Sequence, residues 1–404
     1  MRYGWLPPFV ISVTSSIGLS AGLSASENTF RLEEATIAEI DEAVAAGALS
    51  SEKLVELYLA RIATYDRAGP RLNSIIYINP KAKAEAAALD KERADKGPRG
   101  PLHGIPVLLK DNIDVANMPT TNGSAVMKDA IPPEDGSITK ALRAAGAVIL
   151  GKAAMGEFAG GSYNSVRGQT LNPYNVKRQT GGSSSGSAAA ISANFSVLAV
   201  GTDTSTSVRG PASYTGIVGL RPTTGLISRA GIAPKNLNFD SAGPLARNVT
   251  DLALMMNVLA FPDPNDPKSV EVWGEVEKID PAAKTGVDFT KALDRDALRG
   301  RKLGVLRDLF KGDPEINALA EKAIATMKDL GATMVDIKLD SAFIEAHLKS
   351  GIRKTRALSD FASGRTGNGI LRLSETRNCR RQSRNSSRST KPRSRHPRCR
   401  SKTA

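Results

Sequence analysis

Short apolar runs alternate with helical patterns through most of this chain, and that alternation limits what it can fold into. Ile105–Leu109 is a nearly continuous apolar run, the pattern of a strand buried on both faces. Ser137–Ala145 is predicted helical, Val148–Leu150 a strand, Ala188–Ala193 a helix and Val197–Val200 a strand. Before these, Thr36-x-x-Glu39 has capping-box spacing, Ile37, Ile40 and Val44 follow at helical intervals, and Gly47 supplies a stop. A second helix is predicted from Ser51, with Leu54, Tyr58, Ile62 and Tyr65 on one face. Ser74–Ile78 reads as a strand, and Pro80 suits the first turn of a helix through Lys81–Lys96. Further on, Thr250 is placed to cap a helix ending at Leu259, Leu303–Leu306 reads as a strand, and Glu315–Leu330 as an amphipathic helix. Alternating strands and helices imply an α/β class, a mixed β-sheet core surrounded by α-helices. No internal repeat is visible, so a single large domain is expected.

The 404 residues are 41% hydrophobic with only two cysteines, which excludes whole-chain disorder and a disulfide-stapled miniprotein. The net charge of +14 points at first to a nucleic acid or a membrane. Its distribution says otherwise. Leu371–Ala404 holds 12 Lys/Arg and a lone acid, Glu375, which leaves 43 Lys+Arg against 40 Asp+Glu in the rest. The body is nearly neutral, and no nucleic-acid partner is expected for it. Both Cys379 and Cys399 lie in the tail, which from Arg377 on has almost no apolar residues and no period, so residues 351–404 are expected to be a degenerate or disordered basic tail. At the other end, Arg2 and the mildly apolar Trp5–Ala25 outline a secretory signal peptide over residues 1–25, interrupted by Pro7-Pro8. A periplasmic or secreted location follows, with the cytoplasm as the alternative. No later run reaches the roughly 18 apolar residues of a membrane span.

Chemistry must be found without the common signatures. The three histidines, His103, His347 and His396, form no cluster with metal-ligand spacing, and no nucleophile elbow, phosphate loop or dinucleotide fingerprint is present. No metal or other cofactor is therefore expected. Two hydroxyl- and glycine-rich runs stand out: Gly181–Ser187, leading straight into a helix, and Gly201–Pro211, just after a buried strand. Core-like patterns flank both, which argues against a flexible linker. They fit either tight turns with a helix N-cap or a cradle of backbone N–H groups for an anion. Lys110 ends the apolar strand. It reads either as the first solvated residue or as a desolvated lysine that loses proton affinity and serves as a general base.

Together these segments closely resemble the amidase signature family of serine hydrolases. The motifs are GIPVLLKDNID around Lys110, GGSSSGSAAA around Ser183 and GTDTSTSVRGPAS around Ser207, with Ser207 24 residues after Ser183. The resemblance runs from about Phe30 to Leu339 and includes Gly219–Thr223 and Ala242–Arg247. It implies the amidase-signature fold and a Ser–cis-Ser–Lys triad: Ser207 as nucleophile, Ser183 on a cis peptide as the bridge, and Lys110 as the base. It also implies an oxyanion hole from the backbone N–H groups of Thr204, Ser205, Thr206 and Ser207, with Gly181, Gly182, Asp203 and Arg209 in support. The implied activity is hydrolysis of a small-molecule carboxylic acid amide through a seryl acyl-enzyme. The alternatives are the A subunit of a tRNA-dependent glutamine amidotransferase, with partner subunits, and a catalytically inactive truncated homologue. Two departures stand out. Ser205 and Thr206 replace the small residues or glycines common before the nucleophile. The pattern also fades after about Asp340, where the family continues, so the amidase domain is bounded at residues 26–350 with its C-terminal part missing. Met155, Glu157, Phe158 and Tyr163 fit either core or pocket.

Overall fold

The computed structural model describes residues 30–310 and 312–338. The signal-peptide outline, the basic tail, His347, His396 and both cysteines lie outside these residues. The elements run α1 (Ile37–Ala45), α2 (Ser51–Ile62), β1 (Ile75–Ile78), α3 (Ala82–Lys96), β2 (Pro106–Lys110), α4 (Ser137–Ala144), β3 (Val148–Ala153), β4 (Tyr163–Asn164), β5 (Gly168–Gln169) and α5 (Ser185–Ser192). They continue β6 (Leu198–Asp203), α6 (Arg209–Thr215), β7 (Val218–Gly219), β8 (Ser241–Ala246), α7 (Val249–Leu259), α8 (Pro267–Ile279), β9 (Lys302–Leu306), α9 (Pro314–Asp329) and β10 (Thr333–Ile337). Contacts divide the chain into two units. One holds the described residues up to Lys302 together with Ala323–Thr333, and the other holds Leu303–Lys322 and the described residues from Met334. The first carries every candidate catalytic, oxyanion-hole and supporting residue. In the second, Arg307 pairs with both Glu321 and Asp336.

The large unit is built on a six-stranded mixed sheet of order β1-β3-β2-β6-β8-β7. β3, β2 and β6 run parallel, while β1, β8 and β7 each pair antiparallel with a neighbour. Every residue of β2, β3, β6 and β8 is buried. Successive side chains point to opposite faces, so both faces of the central strands are covered. This is why Ile105–Leu109 reads as an unbroken apolar run. α5 is a deeply buried helix: all residues from Ser185 to Ile191 are shielded from solvent, which suits its Ala-rich sequence. A Cβ on Gly186 would lie 2.3 Å from the Ser74 carbonyl oxygen, so only glycine lets this helix approach so closely.

Most boundaries follow the pattern. Thr36 and Glu39 form both halves of a capping box, and Leu54, Tyr58, Ile62 and Tyr65 are buried together. Two caps differ from expectation. Asn248, not Thr250, caps α7, its side chain accepting the Asp251 N–H from an extended backbone that Asn adopts readily. Pro80 sits in the turn before α3 and not in its first turn, because the Asn79 side chain accepts the Lys81 N–H and delays the helix to Ala82. β8 has no counterpart among the strands expected from sequence, since Gly243 and Pro244 within Ser241–Ala246 argue against one. The close passage of a neighbouring segment explains the glycine: a Cβ on Gly243 would lie 2.0 Å from the Leu220 carbonyl oxygen.

Candidate active site

β2 ends on Lys110, which is fully buried. Its Nζ lies 2.8 Å from Ser183 Oγ, 2.8 Å from Thr202 Oγ1 and 3.0 Å from the Thr202 carbonyl oxygen. Burial lowers its pKa to about 7; the Asp203 and Asp240 carboxylates pull the other way, and Lys235 adds to the lowering. These three partners suit either protonation state. An ammonium has three N–H groups for three oxygens. A neutral amine has two N–H groups for the Thr202 oxygens and a lone pair left for the Ser183 O–H.

Ser183 follows a cis peptide bond from Gly182. The turn needs its glycines: Gly181 has φ +68°, and a Cβ on Gly182 would lie 1.9 Å from the Gly161 carbonyl oxygen. The next residue, Ser184, ties the turn to β6 and to the second hydroxyl-rich segment. Its Oγ donates to the Thr202 carbonyl at 3.1 Å, and its N–H donates to the Ser207 carbonyl at 3.1 Å. Ser183 and Ser207 are both buried, at 1% and 8% exposure, and are adjacent through this backbone link. Among the described residues, no hydrogen bond joins their two hydroxyls.

The Thr204–Ser207 loop is held by its carbonyls and side chains, and its amides are spared. The Ser207 carbonyl accepts from Ser184, the Thr206 carbonyl from the Gly210 N–H at 2.7 Å, and the Ser205 carbonyl from Arg209 Nη2. Thr204 Oγ1 donates to Asp240 Oδ1 at 2.5 Å. The N–H groups of Thr204, Ser205, Thr206 and Ser207 donate to no other described residue. Asp203, fully buried, clamps the loop's ends: it accepts from the Val208 N–H, from Arg209 Nε at 3.2 Å and from Arg221 Nη1 at 3.1 Å. Burial alone would push its carboxyl up, but the Val208 amide and the two guanidiniums hold it below the ordinary value. Ser205 and Thr206 both keep negative φ, so the loop makes no demand that only glycine could meet.

Several site residues have partners that no motif announces, although Asn112 and Thr202 lie inside the GIPVLLKDNID and GTDTSTSVRGPAS runs. Thr202 holds Lys110, and Asn112 Nδ2 donates to Thr202 Oγ1 at 3.2 Å and to the Ala233 carbonyl at 3.2 Å. Asp240 accepts the Lys235 and Asn236 N–H groups besides Thr204. Behind the site, Asp111 and Lys152 are both fully buried, with Nζ 3.6 Å from Oδ1. Burial lowers Lys152 and raises Asp111. A charged residue just beyond an apolar strand pattern was the available signal for Lys152. His103 is structural: its Nδ1 accepts the Arg99 N–H, and Nε2 donates to the Leu89 carbonyl. Met155 belongs to the core, whereas Phe158 and Tyr163 are exposed. Glu157 accepts from Ser165 Oγ at 2.9 Å. A small pocket opens beside Thr202 and Thr204, lined also by Asn112, Ala159, Lys235 and Asp240. Among the described residues, no three His, Cys, Asp or Glu side chains are grouped to hold a metal ion, and no helix is long and apolar enough to cross a membrane.

The family model described as Amidase matches residues 53–395, a span that reaches past Leu339. The A subunit of the glutamyl-tRNA(Gln) amidotransferase of Geobacter metallireducens is 41% identical over 312 residues, covering 76% of this chain and 61% of that protein. The native peptide amidase of Stenotrophomonas maltophilia superposes with a TM-score of 0.72 at 41% identity, over 78% of this chain and 64% of that one. An amidase family protein of Bacillus anthracis gives the same TM-score at 40% identity, over 77% of this chain and 61% of that one. The chain thus spans somewhat under two thirds of the length of these relatives.

Proposed function

Since this chain belongs to the amidase family, we propose that it hydrolyses carboxylic acid amides to the acid and ammonia or an amine, with Lys110, Ser183 and Ser207 as its catalytic residues. The observation that carries this reading is the Lys110 Nζ to Ser183 Oγ distance of 2.8 Å in a site where the lysine titrates at about 7. Neutral Lys110 draws a proton from Ser183, Ser183 takes one from Ser207, and Ser207 Oγ attacks the amide carbon. The relay needs the Ser207 hydroxyl turned toward Ser183; such bonds commonly tighten only once substrate is bound. The unpartnered amides of Thr204–Ser207 receive the developing oxyanion, where one donor is worth about 3–4 kcal/mol. The proton returns through Ser183 to the leaving nitrogen, and water releases the acid from Ser207. Steady-state turnover of simple aliphatic and aromatic amides tests the reading. Undiminished kcat/KM in Ser207→Ala would refute it, and absence of turnover in the unsubstituted chain would favour an inactive homologue.

A second reading is the A subunit of a glutamine amidotransferase, favoured by the 41% identity to such a protein. It requires partner subunits and a glutaminase activity that rises when they bind. The export-signal outline at residues 1–25 supports the stand-alone amidase and a periplasmic or secreted location. Copurification with partner subunits, or cytoplasmic retention of the full chain, would reverse that preference.

A further inference from the structure

We propose that Asn112 is a substrate-binding residue whose Oδ1 accepts an N–H of the scissile amide, so that the site selects carboxamides bearing at least one N–H. This rests on the amidase reading above. Asn112 is 3% exposed and lines the pocket beside Thr202 and Thr204. Its orientation is fixed from both ends. Nδ2 donates to Thr202 Oγ1 and to the Ala233 carbonyl, while its backbone carbonyl accepts the Ala233 N–H at 2.8 Å. The Ala233 carbonyl, which can only accept, decides which end of the amide is nitrogen. Oδ1 is then a buried acceptor with no hydrogen-bond partner among the described residues. Such orphans are rare in native proteins and call for a physical reason.

Position supplies the reason. Asn112 joins Lys110 through the shared Thr202 Oγ1, and Lys110 bonds Ser183. In the proposed reaction the leaving nitrogen takes its proton from Ser183, so it must lie within reach of the Ser183–Lys110 pair, to which Asn112 is joined through Thr202. The free amides of Thr204–Ser207 take the carbonyl oxygen. The substrate amide therefore presents an acceptor toward four donors and a donor toward the unpartnered Oδ1. An ester of the same acid has nothing to offer Oδ1.

The test separates binding from chemistry by working in Ser207→Ala. Dissociation constants are measured by calorimetry for benzamide or butyramide, whichever the unsubstituted chain hydrolyses faster, and for the corresponding methyl ester. The amide should bind Ser207→Ala about tenfold more tightly than the ester, and the difference should vanish in Ser207→Ala/Asn112→Ala through loss of amide affinity alone. Equal affinities in Ser207→Ala would overturn the proposal, as would a preference that survives removal of Oδ1. Equal weakening of both compounds would make Asn112 a purely structural residue and also overturn it. Turnover by the unsubstituted chain decides the amidase reading separately, since it does not depend on which of the two compounds binds better.

Discussion

Raising the pH through neutrality should switch on the proposed hydrolysis, and the structure sets where. Lys110 is the proposed base and acts only when neutral. With its pKa at about 7, roughly half of the molecules carry the neutral amine at pH 7. At the ordinary 10.5 that fraction would be about one in 3,000, so burial of this lysine supplies roughly a thousandfold in active enzyme. kcat/KM on a neutral amide, measured from about pH 5 to 10, should climb about tenfold per unit at the acid end, bend near 7 and level off above about 8. Lys235→Met should move the bend upward, because that ammonium disfavours a second positive charge on Lys110. Lys110→Arg, which is always charged, should abolish turnover across the range. A bend near 10, or a flat profile, would refute the argument that a desolvated Lys110 is the base.

Burial of the same lysine links stability to pH. Its folded pKa is depressed, so folding releases a proton between about 7 and 10.5; denaturant midpoints of the unsubstituted chain should rise through that window relative to Lys110→Met, and parallel curves would contradict the shift. Lys152→Met leaves the Asp111 carboxylate buried without its cation and should cost about 3–5 kcal/mol, part of which Asp111→Asn/Lys152→Met restores; urea unfolding with no coupling between the sites would count against the pair. Gly182→Ala sets a Cβ 1.9 Å from the Gly161 carbonyl oxygen and should lower stability by about 1–3 kcal/mol or more while removing turnover; an unchanged Tm with intact activity would show that the two backbones part freely.

Local pattern makes the sequence legible where one physical demand dominates. The capping box at Thr36 and Glu39, the stripe on α2 and the apolar β2 can be read directly because each follows from a single periodicity or cap. β8 cannot, because its Gly243 obeys a demand set elsewhere, the close passage of Leu220. The site divides the same way. Lys110, Ser183 and Ser207 stand out through their motifs. Thr202, Asn112, Ser184 and Asp240 do their work by hydrogen bonds between segments as many as 121 residues apart, as from Asn112 to Ala233, and no local pattern records such a partner. Ser205 and Thr206 look like departures only because glycine is so often explained by conformation; here the backbone never leaves the ordinary region.

The neighbouring of β2 and β6 has one last consequence. The lysine is delivered by one strand and two of its three oxygen partners by the strand beside it, across a long stretch of intervening chain. The reactive group cannot be assembled from any short contiguous fragment. It comes into being only when the middle of the sheet closes, a step of high contact order. Catalytic turnover therefore doubles as a gauge of that closure: during refolding it should return with the slowest phase, after the local helices α1 and α2 have already regained their ellipticity.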